Sequence, residues 1–313
     1  MAKLQIRLAH VLLLGLTILI PGAAFAQNSG LAFLGLGPDA AGMGIGDAGV
    51  AHTRGAFASE RNPAGLAMGR NSEMGVTHHQ WISDVSTYGV AGRFNAGSRG
   101  GIGLYVRASG SGDIDARDTP GPASGTFDVQ FVTAGVGIGQ SFGPLSVGVA
   151  GKYLSERIFS ISATGYAADF GAQLRLADGG VKLGAALLNV GSMDELADRS
   201  TELPTTVKAG VSLAPFRILA FDDGATLLDA VLTVEFSRNT VDNRSKMHIG
   251  AAASVLETVL LRLGYVSNDA LRDFSAGIGI SAGTFRIDYA ILPFEEGFGG
   301  PGHIFSLIYS GGS

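Results

Sequence analysis

The sequence predicts an all-β protein: a transmembrane antiparallel β-barrel of fourteen strands, with an N-terminal plug segment. Three observations carry that expectation. Beyond residue 70, apolar and polar residues alternate at a period of two in segment after segment, and no apolar run approaches the roughly 18 residues that a membrane helix needs. The links between these segments are short and long by turns, as in barrels that set tight turns on one side of a membrane and loops on the other. Glycine supplies 48 of 313 residues, about twice ordinary usage, while charged residues make up only 16%. Other classes fall away on composition. A net charge of −5 offers nothing to nucleic acid. The absence of cysteine excludes a disulfide framework, thiolate metal sites and cysteine nucleophiles.

Residues 1–26 read as a secretory signal. Lys3 and Arg7 form a basic start, Leu8 to Ile20 an apolar core, and Ala24-Phe25-Ala26 an A-x-A cleavage site, so the mature chain begins at Gln27. No cysteine follows the cut, so no lipoprotein anchor is expected. Export of a barrel to the bacterial outer membrane, with its lipid as surroundings, is the expected destination.

Residues 27–70 are expected to form the plug. The stretch Phe33 to Met68 lacks period-two alternation and carries six glycines between Gly35 and Gly49, which permit positive φ and close backbone approach. Pro63 fixes its own φ and keeps Asn62 out of helix. Gly44 to Gly49 fits G-x-G-x-x-G, but a nucleotide site needs a strand before it and a helix after it, and neither is visible.

Residues 71–313 are expected to form the barrel. Its segments run 72–82, 84–95, 99–109, 126–141, 144–156, 161–177, 180–190, 205–216, 227–238, 246–256, 258–267, 271–282, 283–292 and 302–310. Alternation fixes a face for each residue. Val259, Leu261, Leu263 and Tyr265 share one side and Arg262 and Gly264 the other; Phe285, Ile287 and Tyr289 oppose Arg286 and Asp288. Leu232, Val234 and Phe236 oppose Thr233 and Glu235; Val207, Ala209, Val211 and Leu213 oppose Lys208, Gly210 and Ser212. Tight turns are expected at 95–98, 142–144, 177–180, 257–258 and 282–283, with an exception at 215–226. Long links are expected at 110–125, 191–204, 239–245 and 293–301.

Several motifs lie in order along the chain: Gly35-Leu36-Gly37, Ala40-Ala41-Gly42-Met43-Gly44, Asn62-Pro63-Ala64-Gly65-Leu66, Leu188-Asn189-Val190-Gly191, Glu202-Leu203-Pro204, Leu261 to Tyr265, Ile287 to Ala290, and His303 to Leu307. Together they resemble the PorV/PorQ family, within the FadL-like group of outer-membrane barrels. The resemblance implies an N-terminal hatch, whose motif residues here are Gly42, Met43, Gly44, Asn62, Pro63, Ala64 and Gly65. It implies a protein-binding component of a type IX-like secretion or surface-attachment pathway, meeting cargo or machinery through its outer loops. The alternative is FadL-like transport of hydrophobic small molecules. Neither reading involves an enzyme or a cofactor. One departure is the C-terminus. Barrels of this kind usually end on an aromatic residue, whereas here Tyr309 is followed by Ser310-Gly311-Gly312-Ser313.

Candidate chemistry is sparse. His78 and His79 are adjacent and point to opposite faces of a strand, which rules out a shared metal. Gly279 to Gly283 fits the G-x-S-x-G elbow, but an alternating strand follows where a helix is needed. Lys152, Lys182, Lys208, Glu235, Arg262, Arg286 and Asp288 fall on the polar phases of their strands, and charge on a lipid face is costly, so they are lumenal candidates. Their expected partners are Asp47, Arg54, Glu60 and Arg61, either as a network that fixes the plug or as a ligand site. Trp81, Tyr88, Phe94, Phe127, Phe142, Tyr153, Phe294 and Tyr309 lie near strand ends, where aromatic girdles form. The outer loops carry Arg117, Asp118, Asp194 and Glu195, and are the expected place for a partner to bind.

Overall fold

The computed structural model describes residues 31–311, apart from 70, 83–84, 113, 117–122, 197–200, 219–227, 242 and 298. The expected signal segment, and Arg117 and Asp118, lie outside the described residues. The strands are β1 (Glu73–Gln80), β2 (Ser86–Ala96), β3 (Gly100–Gly110), β4 (Ile114–Ala116), β5 (Gly125–Phe127), β6 (Val129–Phe142), β7 (Leu145–Ile158) and β8 (Ile161–Leu176). Then follow β9 (Val181–Met193), β10 (Thr206–Leu213), β11 (Leu228–Asn239), β12 (Ser245–Val255), β13 (Val259–Val266), β14 (Phe274–Ala282), β15 (Phe285–Leu292) and β16 (Gly302–Ser310). All except β4 and β5 pair in sequence order, and β1 closes on β16 with Thr77 opposite Ser306. The result is the closed fourteen-stranded antiparallel barrel that alternation predicts.

Closure leaves no free sheet edge, so every spanning backbone group finds a partner without water. The side chains obey the period of two. On β13, Leu261 and Leu263 are exposed on the outer face while Arg262 is buried inside. On β11, Leu232, Val234 and Phe236 are outside, while Thr233 and Glu235 are buried. Large apolar side chains exposed all round the wall form the lipid-facing surface of a transmembrane barrel. Tyr88, Phe142, Tyr153 and Tyr309 are exposed with them.

The two ends differ as expected. Tight turns join β2 to β3, β6 to β7, β12 to β13 and β14 to β15. Gly97, Gly143 and Gly283 take the left-handed φ these turns need, and Leu256 and Glu257 do so without being glycine. The longer link after β10 begins with a helical turn, Pro215–Ile218. The opposite end carries the links 111–128, 194–205, 240–244, 267–273 and 293–301.

Three details depart from the sequence reading. The first long link contains an added ribbon, β4 with β5, and Phe127 pairs there with Ile114, so β6 starts later than expected. At Asn189 the register of β8 on β9 shifts, and this residue has φ 62°. Trp81 and Phe294 do not join an outer girdle. They meet edge to face at 4.9 Å over Gly302, and the indole packs on the buried cluster of Ala40, Met43, Ala290, Leu292 and Ile304.

Residues 31–69 contain no strand. They form single turns at Ala32–Gly35, Ala40–Met43, Ala58–Arg61 and Pro63–Met68, and Met43, Val50, Ala58, Ala64 and Leu66 are wholly buried. This segment packs on the inner wall. Where it comes closest, the wall has glycine: a Cβ at Gly148 would overlap Pro63, one at Gly184 would overlap Val50, and one at Gly264 would overlap Gly46. Part of the glycine excess is therefore wall-side space for another backbone.

Candidate functional site

The chemistry-bearing residues collect along the seam between the N-terminal segment and the wall. Local turns position the segment's half. Asp39 caps the turn Ala40–Met43, its Oδ2 accepting from Gly42 N at 3.2 Å. Gly42 has no side chain where the Arg61 guanidinium passes, and a Cβ there would overlap it. Met43 packs on Ala290, Leu292 and Ile304, and Gly44 lies against Gly277 of β14. Asn62 Oδ1 accepts from Ala64 N at 3.1 Å, Asn62 Nδ2 donates to Val50 O at 2.8 Å, and Pro63 opens the following turn. Gly65 faces the Thr53 carbonyl.

At the centre, Arg61 donates to Asp47 Oδ1 at 2.6 Å and to Asp39 Oδ1 at 2.8 Å. Lys208 on β10 reaches Asp47 Oδ2 at 3.0 Å and Glu235 Oε1 on β11 at 3.1 Å. Glu235 Oε2 accepts from Val50 N at 2.8 Å. Two cations and three carboxylates thus share one buried cluster. Burial pushes the Asp47 carboxyl up, but Lys208 and then Arg61 outweigh it and hold the group well below the usual carboxylate range. Burial likewise lowers Arg61, and Asp47 and Asp39 overcome it and raise its pKa. His52, at the edge of the cluster, is pushed down to about 3 by burial and then by Lys182, so it is neutral near pH 7.

The other predicted wall charges lie in neighbouring clusters. Arg262 Nη1, two strands away on β13, forms an ion pair with Asp288 Oδ1 at 2.8 Å, and Arg286 Nε on the same strand donates to Asp288 Oδ2 at 2.8 Å. Lys152 Nζ forms an ion pair with Asp169 Oδ2 at 2.8 Å and donates to Asn189 Oδ1. Asn189 is itself fixed by donating to Asp169 and to Pro204 O. Arg107 holds Glu60 at 3.2 Å and Leu36 O at 2.8 Å, while burial raises the Glu60 pKa against that pairing. Lys182 and Arg54 border the cavity described below.

Single hydrogen bonds complete the seam around the perimeter. Arg93 donates to Leu66 O, Gln173 to Val50 O, Thr233 to Ala48 O and His248 to Gly46 O; Ser275 accepts from Gly46 N and Ser306 from Ala40 N. Residues that sequence reasoning did not put forward for chemistry do much of this holding: Gln173, His248, Ser275 and Ser306, while Asp169 and Asn189 tie wall strands and a link to one another. Only their strand phase and the Leu-Asn-Val-Gly motif hinted at them.

The lumen differs at its two ends. At the tight-turn end lies a cavity of about 1460 Å³, bordered by Asp39, His52, Arg54, Arg61, Lys182 and Arg262. At the loop end the inner wall turns apolar: Leu31 and Phe33 pack on Leu154, Ala163, Met193 and Leu203, and the Phe33 ring stacks on Phe131 at 5.3 Å. In the outer loops, Asp194 accepts from Thr164 Oγ1 at 2.7 Å and Glu195 is exposed. His79 is buried within hydrogen-bond distance of Thr77, and His78 stacks on Tyr88 outside. No group of three metal-ligating side chains occurs among the described residues.

No protein-family model matches the chain, and no curated protein sequence does. Solved structures do resemble it. The fold is similar to the crystal structure of the Ralstonia pickettii toluene transporter TbuX, with a TM-score of 0.56 at 13% identity over 87% of this chain and 97% of that one. It is similar to that of the P. putida toluene transporter TodX, with a TM-score of 0.59 at 10% identity over 88% and 97%. A Pseudomonas aeruginosa FadL homologue gives 0.51 at 12% identity over 93% and 99%. At such identities the likeness is one of fold.

Proposed function

We propose that the protein is an outer-membrane barrel that admits small hydrophobic molecules through its lumen, with residues 33–68 as the plug that moves to let them pass. The observation that carries this reading is the apolar patch of the inner wall at the loop end, a recess that Leu31 and Phe33 fill. An inward-facing group of Phe131, Leu154, Met193 and Leu203 contributes nothing to lipid contact, yet it offers a hydrophobic guest the burial that drives its binding. The fold supports the reading, because two of the similar solved structures are titled toluene transporters. The plug supports it too. It is held on the wall by hydrogen bonds and ion pairs.

The test is uptake of labelled toluene by intact cells with a lipopolysaccharide outer leaflet, with and without the protein. Saturable uptake that requires the protein is the expected result; identical uptake in both strains sinks the reading. A role in type IX-like secretion or surface attachment comes second. Its support is the PorV/PorQ resemblance of the Ala40 to Gly44 and Asn62 to Leu66 motifs. A secreted protein that stays bound through gentle detergent extraction would reverse the order.

A further inference from the structure

Glu156 on β7 faces inward at the loop end and is only 4% exposed. It lies opposite Phe131 on β6 and Ala163 on β8, and two residues from Leu154, so members of the apolar recess surround it on three strands. Its Oε2 is buried without a hydrogen-bond partner, and it makes no ion pair among the described residues. Asp169, Glu235 and Asp288 on the same inner wall are each paired to a lysine or an arginine. A carboxyl left alone in apolar surroundings is costly to the fold unless something hydrogen-bonds it. No described residue does so for Oε2.

We propose that Glu156 is the polar handle of a ligand subsite, and that this subsite takes a small aromatic molecule carrying a hydroxyl group. The proposal rests on the reading that the lumen admits hydrophobic molecules, and it narrows the class. The aromatic part follows from the recess, where Phe33 already lays a ring on Phe131 and the Arg107 guanidinium sits 5.5 Å over the Phe33 ring. The ring of Phe33 marks the space that a ligand ring takes when the segment's end withdraws. The hydroxyl part follows from Glu156, a strong acceptor that lacks a donor. A carboxylate ligand is excluded, because two like charges in one buried site repel.

Toluene and p-cresol differ by one hydroxyl group, and p-toluate replaces it with a carboxylate. Binding of each to the purified full-length chain in detergent is measured by equilibrium dialysis against protein-free micelles. The wild type should bind p-cresol about tenfold or more tighter than toluene, as a hydrogen bond to a carboxylate implies, and should reject p-toluate. Glu156→Leu should bring p-cresol down to the level of toluene. Glu156→Gln keeps an acceptor oxygen in the same volume and should retain part of the preference. If the leucine variant fails to form a heat-modifiable barrel, the glutamine variant and the wild-type ratio decide. Equal binding of p-cresol and toluene overturns the subsite and leaves the hydrophobic-molecule reading standing. So does a preference that survives in Glu156→Leu, or p-toluate bound as tightly as p-cresol. Binding of none of the three overturns both.

Discussion

Arg61 sits at the centre of the buried charge cluster at the seam. Its guanidinium spans Asp39 and Asp47 from within the segment, and through Asp47 it is joined to Lys208 and Glu235 of the wall. A buried pair of charges is a weak source of net stability, because desolvation offsets attraction, but removing one member leaves the others uncompensated. Arg61→Met should therefore weaken docking of the segment by roughly 3–5 kcal/mol. The barrel does not depend on that cluster for its ladders, so heat-modifiable migration should persist while a protease begins to cut within 31–69. Protection equal to the wild type's would show that the segment is held elsewhere. Arg61 was legible as a partner from its charge. Its two carboxylates were not both foreseen: Asp47 was among the partners expected from the sequence, and Asp39 was not.

At the scale of the element, a strand is specified by its phase. Leu263 lies midway along β13, is 66% exposed, and sits between Ala251 and Ala276 on the neighbouring strands. Leu263→Lys places a charge in lipid and should cost about 2–4 kcal/mol if the position is near the midplane. The readout is the fraction of heat-modifiable barrel after refolding into lipid, and a fraction unchanged from the wild type would take this position off the lipid face. Strands were legible because their signal is local: two neighbours suffice to assign a face. Elements whose signal is not local were missed. The β4 and β5 ribbon is short, and the bulge at Asn189 is visible only when β8 and β9 are set side by side.

For the whole molecule, the consequence of closure is that the interior is shared between a wall and a segment of the same chain. Contacts to residues 31–69 come from strands all around the perimeter, from Arg93 on β2 to Ser306 on β16. Deleting Phe33 to Met68 should leave the fourteen strands able to close, since their hydrogen bonds run to one another. Planar-bilayer conductance of the deleted form should exceed that of the full chain severalfold. A closed, non-conducting deletion variant would sink the assignment of the segment as a plug.

The sequence by itself determined the fold class, the strands to within a few residues, and which end carries the tight turns. It also determined the phase on which Lys208, Glu235, Arg262, Arg286 and Asp288 fall. Each of these follows from alternation or from link length, and both are properties of neighbours in the chain. Only the tertiary structure decided what those charges meet, why wall glycines such as Gly148, Gly184 and Gly264 occur where they do, and that Glu156 Oε2 has no hydrogen-bond partner among the described residues. In the sequence Glu156 stands between Ser155 and Arg157, one polar residue among others. Its isolation is fixed by the register of β6, β7 and β8 and by the arrival of Phe33 from more than a hundred residues away. Register and closure are long-range, and no local pattern encodes them.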